Sequence, residues 1–431
     1  MRSLLALLLA AALLLPAPSV LGQGSTDADL IREAYGFIRE YALRLPEPPA
    51  IFSRALIAAQ IHATDPALAT PPGLTGDEPS DLEAVASYVA SVARSLPPRQ
   101  AETVLSAALR GMIQDLADPL AAIFLPVQFA EYMEDLRGEH GGIGAQLDLV
   151  AGQIVISDVT PGGPAARAGI SAGDILLEIN GRPTAERTPD NALDFLHGRP
   201  GTVVNVTVLR GRATMRLLLT REAVRENPTR ASMLEPRIGY VRLLEFTEKC
   251  GQDVGRALAA LRRQGAQAIV FDLRQNTGGL VEESVDVASF FLSDGVVAME
   301  ESRDGLIPLN VRPAERFPGP VVVLVDFFTA SAGEIVAGAL QDAGASLVGT
   351  KTFGKATVQS VSVPPLPGGW GIRVTTARYY TRSGRMIEGT GLLPTVAMPM
   401  RIELIQSSRD QQLQEALTQV RLRLTARAGR R

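Results

Sequence analysis

Lysine is nearly missing from this 431-residue chain: of its 42 basic residues only Lys249, Lys351 and Lys355 carry an amine, and the rest are arginine. A guanidinium stays protonated, so any amine base must come from those three positions. Histidine is as scarce, at His62, His140 and His197, and cysteine occurs once, at Cys250. One cysteine excludes an intrachain disulfide, and so few imidazole and thiolate donors, far apart in sequence, give a zinc site no basis. Cys250 reads as a small buried hydrophobe, and no cofactor is expected. A formal net charge of −4 with no basic cluster removes the footprint of a nucleic-acid binder. The chain also lacks an apolar run of the roughly 20 residues that span a bilayer. The run at 4–15 follows Arg2 and precedes Pro16, Pro18 and Gly22, the pattern of a secretory signal peptide cut near Gly22. That predicts an extracytoplasmic protein, periplasmic or secreted.

What is present is ample apolar content, 46%, over a length that predicts two or three domains. Residues 23–137 show helical spacing, as in Leu30, Tyr35, Phe37, Ile38 and Tyr41, interrupted at Leu45-Pro46 and Leu96-Pro97 in a weak internal repeat. Residues 64–80 are rich in Pro, Gly, Thr and Asp and read as an exposed loop. Over 138–218 the texture turns to short β-branched runs, 153–159, 175–179 and 203–209, with Gly and Asn between them. Over 219–400 apolar strands (238–243, 268–273, 321–325, 346–348) alternate with helices (252–264, 281–292, 331–341), the pattern of an α/β core with a mostly parallel sheet. The tail, 401–431, returns to helical periodicity. The fold class is therefore multidomain α+β.

Three segments carry chemistry. The strand 321–325 runs through Asp326-Phe-Phe-Thr-Ala330 into a helix opening at Ser331, a turn that exposes a hydroxyl beside free helix N-terminal amides. Ser331 with Glu334 three residues on is equally a capping box. No histidine follows Glu222, so a serine nucleophile needs another base. Lys355, in Thr352-Phe-Gly-Lys355, serves if burial leaves its amine neutral, in a Ser-Lys variant of triad logic; alone it reads as a surface charge. Asp272-Leu-Arg-Gln-Asn-Thr-Gly278-Gly279 ends a buried strand in two glycines, either a plain loop or a backbone able to approach a substrate carbonyl.

In order, the landmarks are Gly138-Glu-His-Gly-Gly-Ile-Gly144, Gly162-Gly-Pro-Ala-Ala-Arg-Ala-Gly169, Asp272 to Gly279, Ser331-Ala-Gly-Glu-Ile335, Phe353-Gly-Lys355 with Gln359, and Thr376-Ala-Arg-Tyr-Tyr380. Together they resemble the carboxyl-terminal processing peptidases, also called tail-specific proteases. The resemblance implies a PDZ domain at 138–218, a crotonase/ClpP-like protease core at 219–400, and a serine endopeptidase that recognises apolar C-terminal tails of protein substrates. It implies Ser331 as nucleophile, Lys355 as base and Gln359 as the residue orienting the lysine, the two sharing one face in a helical geometry. It further implies oxyanion donors at Gly278 and Ala332, and a tail-carboxylate loop at Gly142, Ile143 and Gly144. Asp342 matches a recurrent family acid and otherwise reads as structural. Thr277, Thr329 and Gly333 depart from the family's usual residues without removing a catalytic group. His197 stands where many members carry arginine and reads as a solvated surface side chain.

Two other readings remain: a catalytically silent PDZ adaptor that binds protein C-termini, and a hydrolase of the same fold acting on something other than protein. The terminal helices could pair subunits as a homodimer or pack at home. An activating partner, if one exists, is not named by the sequence.

Overall fold

Four helices account for the three-and-four apolar spacing of the N-terminal region: Asp27–Tyr41, Pro48–Gln60, Glu78–Arg94 and Pro98–Gln114. Three of them carry proline at the first positions, where a missing N–H costs nothing, and the Asp77 side chain caps the third through the Ser80 N–H. The two Leu-Pro breaks fall between the members of each helix pair, but the helices pack mainly across the pairs, Pro48–Gln60 on Pro98–Gln114 and Asp27–Tyr41 on Glu78–Arg94, with Ile31, Phe37, Phe52, Val89 and Leu109 among the fully buried residues. The computed structural model describes residues 12–16, 27–150, 152–185, 189–399, 401–407 and 409–428, so the cleavage point expected near Gly22 lies outside the described residues. None of the described helices is long and apolar enough to cross a membrane.

Contacts divide the chain into two units, Tyr132–Pro228 and the remainder. In the larger unit, strands Thr229–Glu235, Ile238–Leu243, Ala268–Asp272, Val321–Val325, Ser346–Gly349 and Val396–Ala397 lie side by side in that order, all parallel except the first pair. Strand residues alternate faces. Ile269, Phe271, Val323 and Val325 pack on helices Cys250–Arg263, Val281–Ser289 and Ala332–Asp342, while Val270, Val322 and Leu324 pack on the C-terminal helix Gln411–Ala428. Burial on both faces explains why these strands read as continuous apolar runs.

A second sheet was not legible in the sequence. It is antiparallel and joins Thr357–Val363, Gly371–Thr381, Val296–Ser302 and Gly305–Asn310. Ala122–Phe124 pairs with the start of Gly371–Thr381, and the backbone of Ala12–Pro16 runs parallel to Thr357–Val363. Trp370, Ile372 and Val374 bury against the N-terminal helices, so those helices and this sheet share one core.

The smaller unit contains the expected strands. Ala145–Val150, Gln153–Val159, Ile175–Ile179, Val203–Arg210 and Ala213–Thr220 form one antiparallel sheet in that order, which leaves Ala145–Val150 at an open edge. Helix Pro189–Leu196 packs beside that edge strand. A separate strand pair, Glu139–Gly142 with Glu222–Arg225, closes the unit.

Candidate active site

Asp326 builds the turn that presents Ser331. Its Oδ1 accepts the N–H groups of Phe328, Thr329 and Gln275, each at 3.0 Å, tying the serine turn to the loop that follows Asp272. The Thr329 hydroxyl donates to the Leu273 carbonyl (2.8 Å) and the Ala330 N–H to the Asn276 carbonyl (3.0 Å), so the two loops are stitched at three levels. Ser331 itself sits at φ 55°, ψ −119°, a region that non-glycine residues avoid and that surrounding bonds must impose.

Ser331 and Glu334 form the expected capping box: Glu334 Oε2 accepts the Ser331 N–H at 3.0 Å. The Ser331 hydroxyl also lies 3.3 Å from the Lys355 amine. Glu334 also accepts the N–H of Lys355 (2.9 Å), the N–H of Gly354 (2.8 Å) and the Thr352 hydroxyl. One buried carboxylate thus holds the Ser331 turn and the Lys355 turn together. Tyr379 adds a second clasp, its hydroxyl lying 3.0 Å from the Ser331 carbonyl and 2.8 Å from the Lys355 carbonyl. Gly354 is required at its place: φ is +91° and a Cβ there would meet the Gly391 nitrogen at 2.6 Å.

Lys355 is not a surface charge. It is 3% exposed, and among the described residues no carboxylate forms an ion pair with its amine, which donates to the Thr357 carbonyl at 2.9 Å. Burial therefore brings its pKa down to about 7, against upward pulls from Glu388, Glu334 and Asp118 and a further downward push from Arg373. Near neutral pH a large share of the amine is unprotonated and within reach of a serine hydroxyl, which is what a general base requires.

Gln359 differs from expectation. It lies on the strand Thr357–Val363, not on a helix, and a bulge between Val358 and Gln359 disturbs the register. Its Nε2 donates to Thr375 Oγ1 (3.0 Å), its Oε1 is buried without a hydrogen-bond partner among the described residues, and the Lys355 amine donates to the Thr357 carbonyl rather than to Gln359. Of the two N–H groups expected to serve as oxyanion donors, one is free of intrahelical bonding and the other is engaged. Ala332, the first helical residue, has an N–H with no intrahelical acceptor. Gly278 reaches close enough that a Cβ would stand 2.8 Å from Ser331 Cβ, but its N–H is turned to Asn276 Oδ1 at 2.9 Å.

In the smaller unit, Gly142 ends the strand Glu139–Gly142, and Ile143 and Gly144 (φ +71°) lead into the edge strand Ala145–Val150. The Ile143 carbonyl accepts the Ala165 N–H and the Gly144 carbonyl the Thr160 N–H, both at 2.8 Å, which fixes the loop. His197 is not a free surface side chain. It is half-buried against Gly142 with its Nε2 2.7 Å from Glu226, which draws its pKa up against the opposing effect of burial. Asp342 accepts the Ser383 N–H and an Arg385 nitrogen, a structural role. Cys250 is buried.

Sequence reasoning missed Tyr379, Thr357 and Asp118 as neighbours of the pair, and saw Glu334 only as a cap. Tyr379 lies inside a quoted landmark, whereas Thr357 acts through a carbonyl that every residue has.

Residues 237–398 match the profile of Peptidase family S41, and residues 155–210 that of the PDZ domain. A carboxyl-terminal-processing protease of Picosynechococcus sp. is 34% identical over 318 residues, 71% of this chain and 76% of that protein. Carboxyl-terminal-processing peptidase 2, chloroplastic, of Arabidopsis thaliana is 35% identical over 311 residues, 68% of this chain and 60% of the plant protein's length. Among solved structures, a photosystem II D1 C-terminal processing protease is 28% identical, covers 82% of this chain and 94% of its own, and superposes with a TM-score of 0.45.

Proposed function

The chain belongs to the carboxyl-terminal-processing peptidases, serine-type peptidases of family S41 with a PDZ domain, and from that premise we propose an exported endopeptidase that cuts protein substrates selected by their C-terminal tails. The observation that carries the reading is the buried Lys355 amine, with a pKa of about 7, beside the Ser331 hydroxyl. Lys355 takes the hydroxyl proton as Ser331 Oγ attacks the scissile carbonyl. The oxyanion develops beside the Ala332 N–H, with the Gly278 N–H joining once it leaves Asn276. Lys355 then returns the proton to the departing amine, and water, deprotonated by the same amine, hydrolyses the acyl-enzyme. The expected role of Gln359 becomes that of a strand residue bracing the lysine's neighbourhood.

The substrate tail adds as a strand to the open edge of Ala145–Val150, its carboxylate received at Gly142, Ile143 and Gly144. Phe327 and Phe353, both exposed with rings 5.6 Å apart, offer apolar surface on the two catalytic turns and favour apolar substrate residues. Export rests on the N-terminal apolar run and its expected cleavage near Gly22.

The test is cleavage of a poorly folded protein ending in apolar residues, with fragments identified by mass spectrometry. Wild type should cut; Ser331→Ala and Lys355→Arg should not; an acidic tail should slow cutting. Tail binding without cutting by the wild type would favour the adaptor reading, and cutting by Ser331→Ala would remove the mechanism.

A further inference from the structure

The strand Gly371–Thr381 is served unevenly along the edge opposite Thr357–Val363. Ala122–Phe124 pairs with Gly371 to Arg373, and Val296–Ser302 pairs with Ala377 to Thr381. Between them no described strand reaches Thr375 on this edge, yet its half-buried backbone donor and acceptor need partners. Both come from the N-terminal helical region. The Thr375 N–H donates to Asp118 Oδ2 at 2.7 Å, and the Thr375 carbonyl accepts the Leu43 N–H at 2.8 Å. The Thr375 hydroxyl donates to Asp118 Oδ1 (2.9 Å) and itself accepts from Gln359 Nε2 (3.0 Å). Asp118 is itself fixed: its Oδ1 accepts the Leu120 N–H at 2.9 Å, and Arg373 Nε bonds the Leu120 carbonyl at 3.0 Å.

This relay ends where the base is held. Gln359 lies two residues beyond Thr357, whose carbonyl receives the Lys355 amine, and the bulge in the strand pair falls at Gln359. Asp118, Thr357 and Thr375 also line one cavity of about 160 Å³, with Glu388 and Arg378 on its walls.

We propose that Asp118 is a positioning residue for the Ser331–Lys355 pair, acting through Thr375 and Gln359, so that the helical region completes the catalytic site. The proposal rests on the reading of Ser331 and Lys355 as nucleophile and base. The charged groups around Lys355 are Glu334 at the start of the serine helix, Glu388 in the turn after Gly371–Thr381, Arg373 on that strand, and Asp118 from the helical region. Three of the four are anions, and Asp118 favours the ammonium form. Removing its charge shifts the base toward the neutral amine at lower pH.

The experiment measures kcat, KM and the pH profile of kcat/KM for full-length Asp118→Asn, Thr375→Val and Thr375→Ser, with melting curves for each. Asp118→Asn should lose at least tenfold in kcat with KM little changed, and its acidic limb should move to lower pH. Thr375→Val breaks the relay but keeps the charge, so it should lower kcat without that displacement; Thr375→Ser, which restores the hydroxyl, should recover it. Folded Asp118→Asn and Thr375→Val enzymes with wild-type kcat and an unmoved limb would overturn the proposal. If Asp118→Asn does not fold, the Val and Ser variants decide it: loss in the first and recovery in the second support it, and wild-type kcat in Thr375→Val sinks it. Labelling of wild-type Ser331 by a fluorophosphonate separates this from the proposed function, since an unlabelled serine would defeat the peptidase reading itself.

Discussion

The backbone amides of Ser331 and Lys355 converge on a single oxygen, Glu334 Oε2, at 3.0 and 2.9 Å. Ser331 and Lys355, the proposed nucleophile and base, are 24 residues apart in sequence, and one carboxylate joins their backbones. Burial raises the Glu334 pKa, while its four donors pull the other way.

Replacing that carboxylate tests how far the site depends on it. Glu334→Gln offers one acceptor oxygen and one donor nitrogen where four donors converge, so buried N–H groups lose partners. Each such loss costs about 1–3 kcal/mol. The variant should unfold in urea with a free energy lower by roughly 2–4 kcal/mol, and kcat should fall at least tenfold even where it remains folded. Wild-type stability and activity together would show that Gln reproduces the clasp.

The lysine's burial makes activity and stability titrate in the same window. With a folded pKa of about 7 against an ordinary 10.5, the unfolded chain binds more protons between these values, so stability rises with pH across that range. Below pH 7 the folded protein bears the full cost of a buried ammonium. Lys355→Met removes it and should be inactive yet more stable at pH 6, by roughly 3–5 kcal/mol. The wild-type kcat/KM should fall on the acidic side near pH 7. Equal stability of the variant and wild type at pH 6 would mean the amine is solvated in solution.

Much of this was readable before the fold. Val321–Val325 and Ala268–Asp272 are buried on both faces, so their apolar runs stood out, and Ser331 and Gly278 lie at the ends of such strands. The antiparallel sheet was not readable, because Gly371–Thr381 mixes Arg373, Thr375, Thr376 and Arg378 into the strand, and Arg373 and Thr375 find their partners more than 250 residues away. The same reason hid Asp118. Its carboxylate fills a gap in a ladder more than 250 residues away, which no local spacing records. Gln359 was expected to share a helical face with Lys355, but it lies on a strand with a bulge at its position, and its amide donates to Thr375.

The C-terminal helix is anchored by charge as well as by apolar packing. Arg274, fully buried one residue before Gln275, bonds Asp410 through both terminal nitrogens at 2.9 Å and Asp272 at 2.6–3.1 Å. Asp410 also accepts the Leu413 and Gln406 N–H groups at the head of the helix. Breaking a buried pair from one side costs about 3–5 kcal/mol, whereas an exposed pair is worth at most about 1. Asp410→Ala should therefore lose roughly 4 kcal/mol in denaturant unfolding, and Glu235→Ala, which removes the exposed partner of Arg421, less than about 1. Comparable small losses in both would show that Asp272 alone satisfies the guanidinium.

In the smaller unit His197 carries its own titration. The Glu226 carboxylate at 2.7 Å, with Asp194, raises the imidazole pKa above 6.5, while burial and Arg221 oppose the shift. His140 lies with its ring centroid 5.7 Å away and is paired with Asp135. A folded pKa above the unfolded one means that the ion pair stabilises fully below about pH 6.5, and that this contribution fades as pH rises through the folded value. Proton NMR of the imidazole should give a midpoint above 6.5 in wild type and a lower one in Glu226→Gln, where burial acts with less opposition. The Glu226→Gln unit should also melt lower than wild type at pH 5.5 and approach it at pH 8.5. A midpoint at or below 6.5 in wild type would mean that the pair is open to water and that His197 contributes no pH-dependent stability.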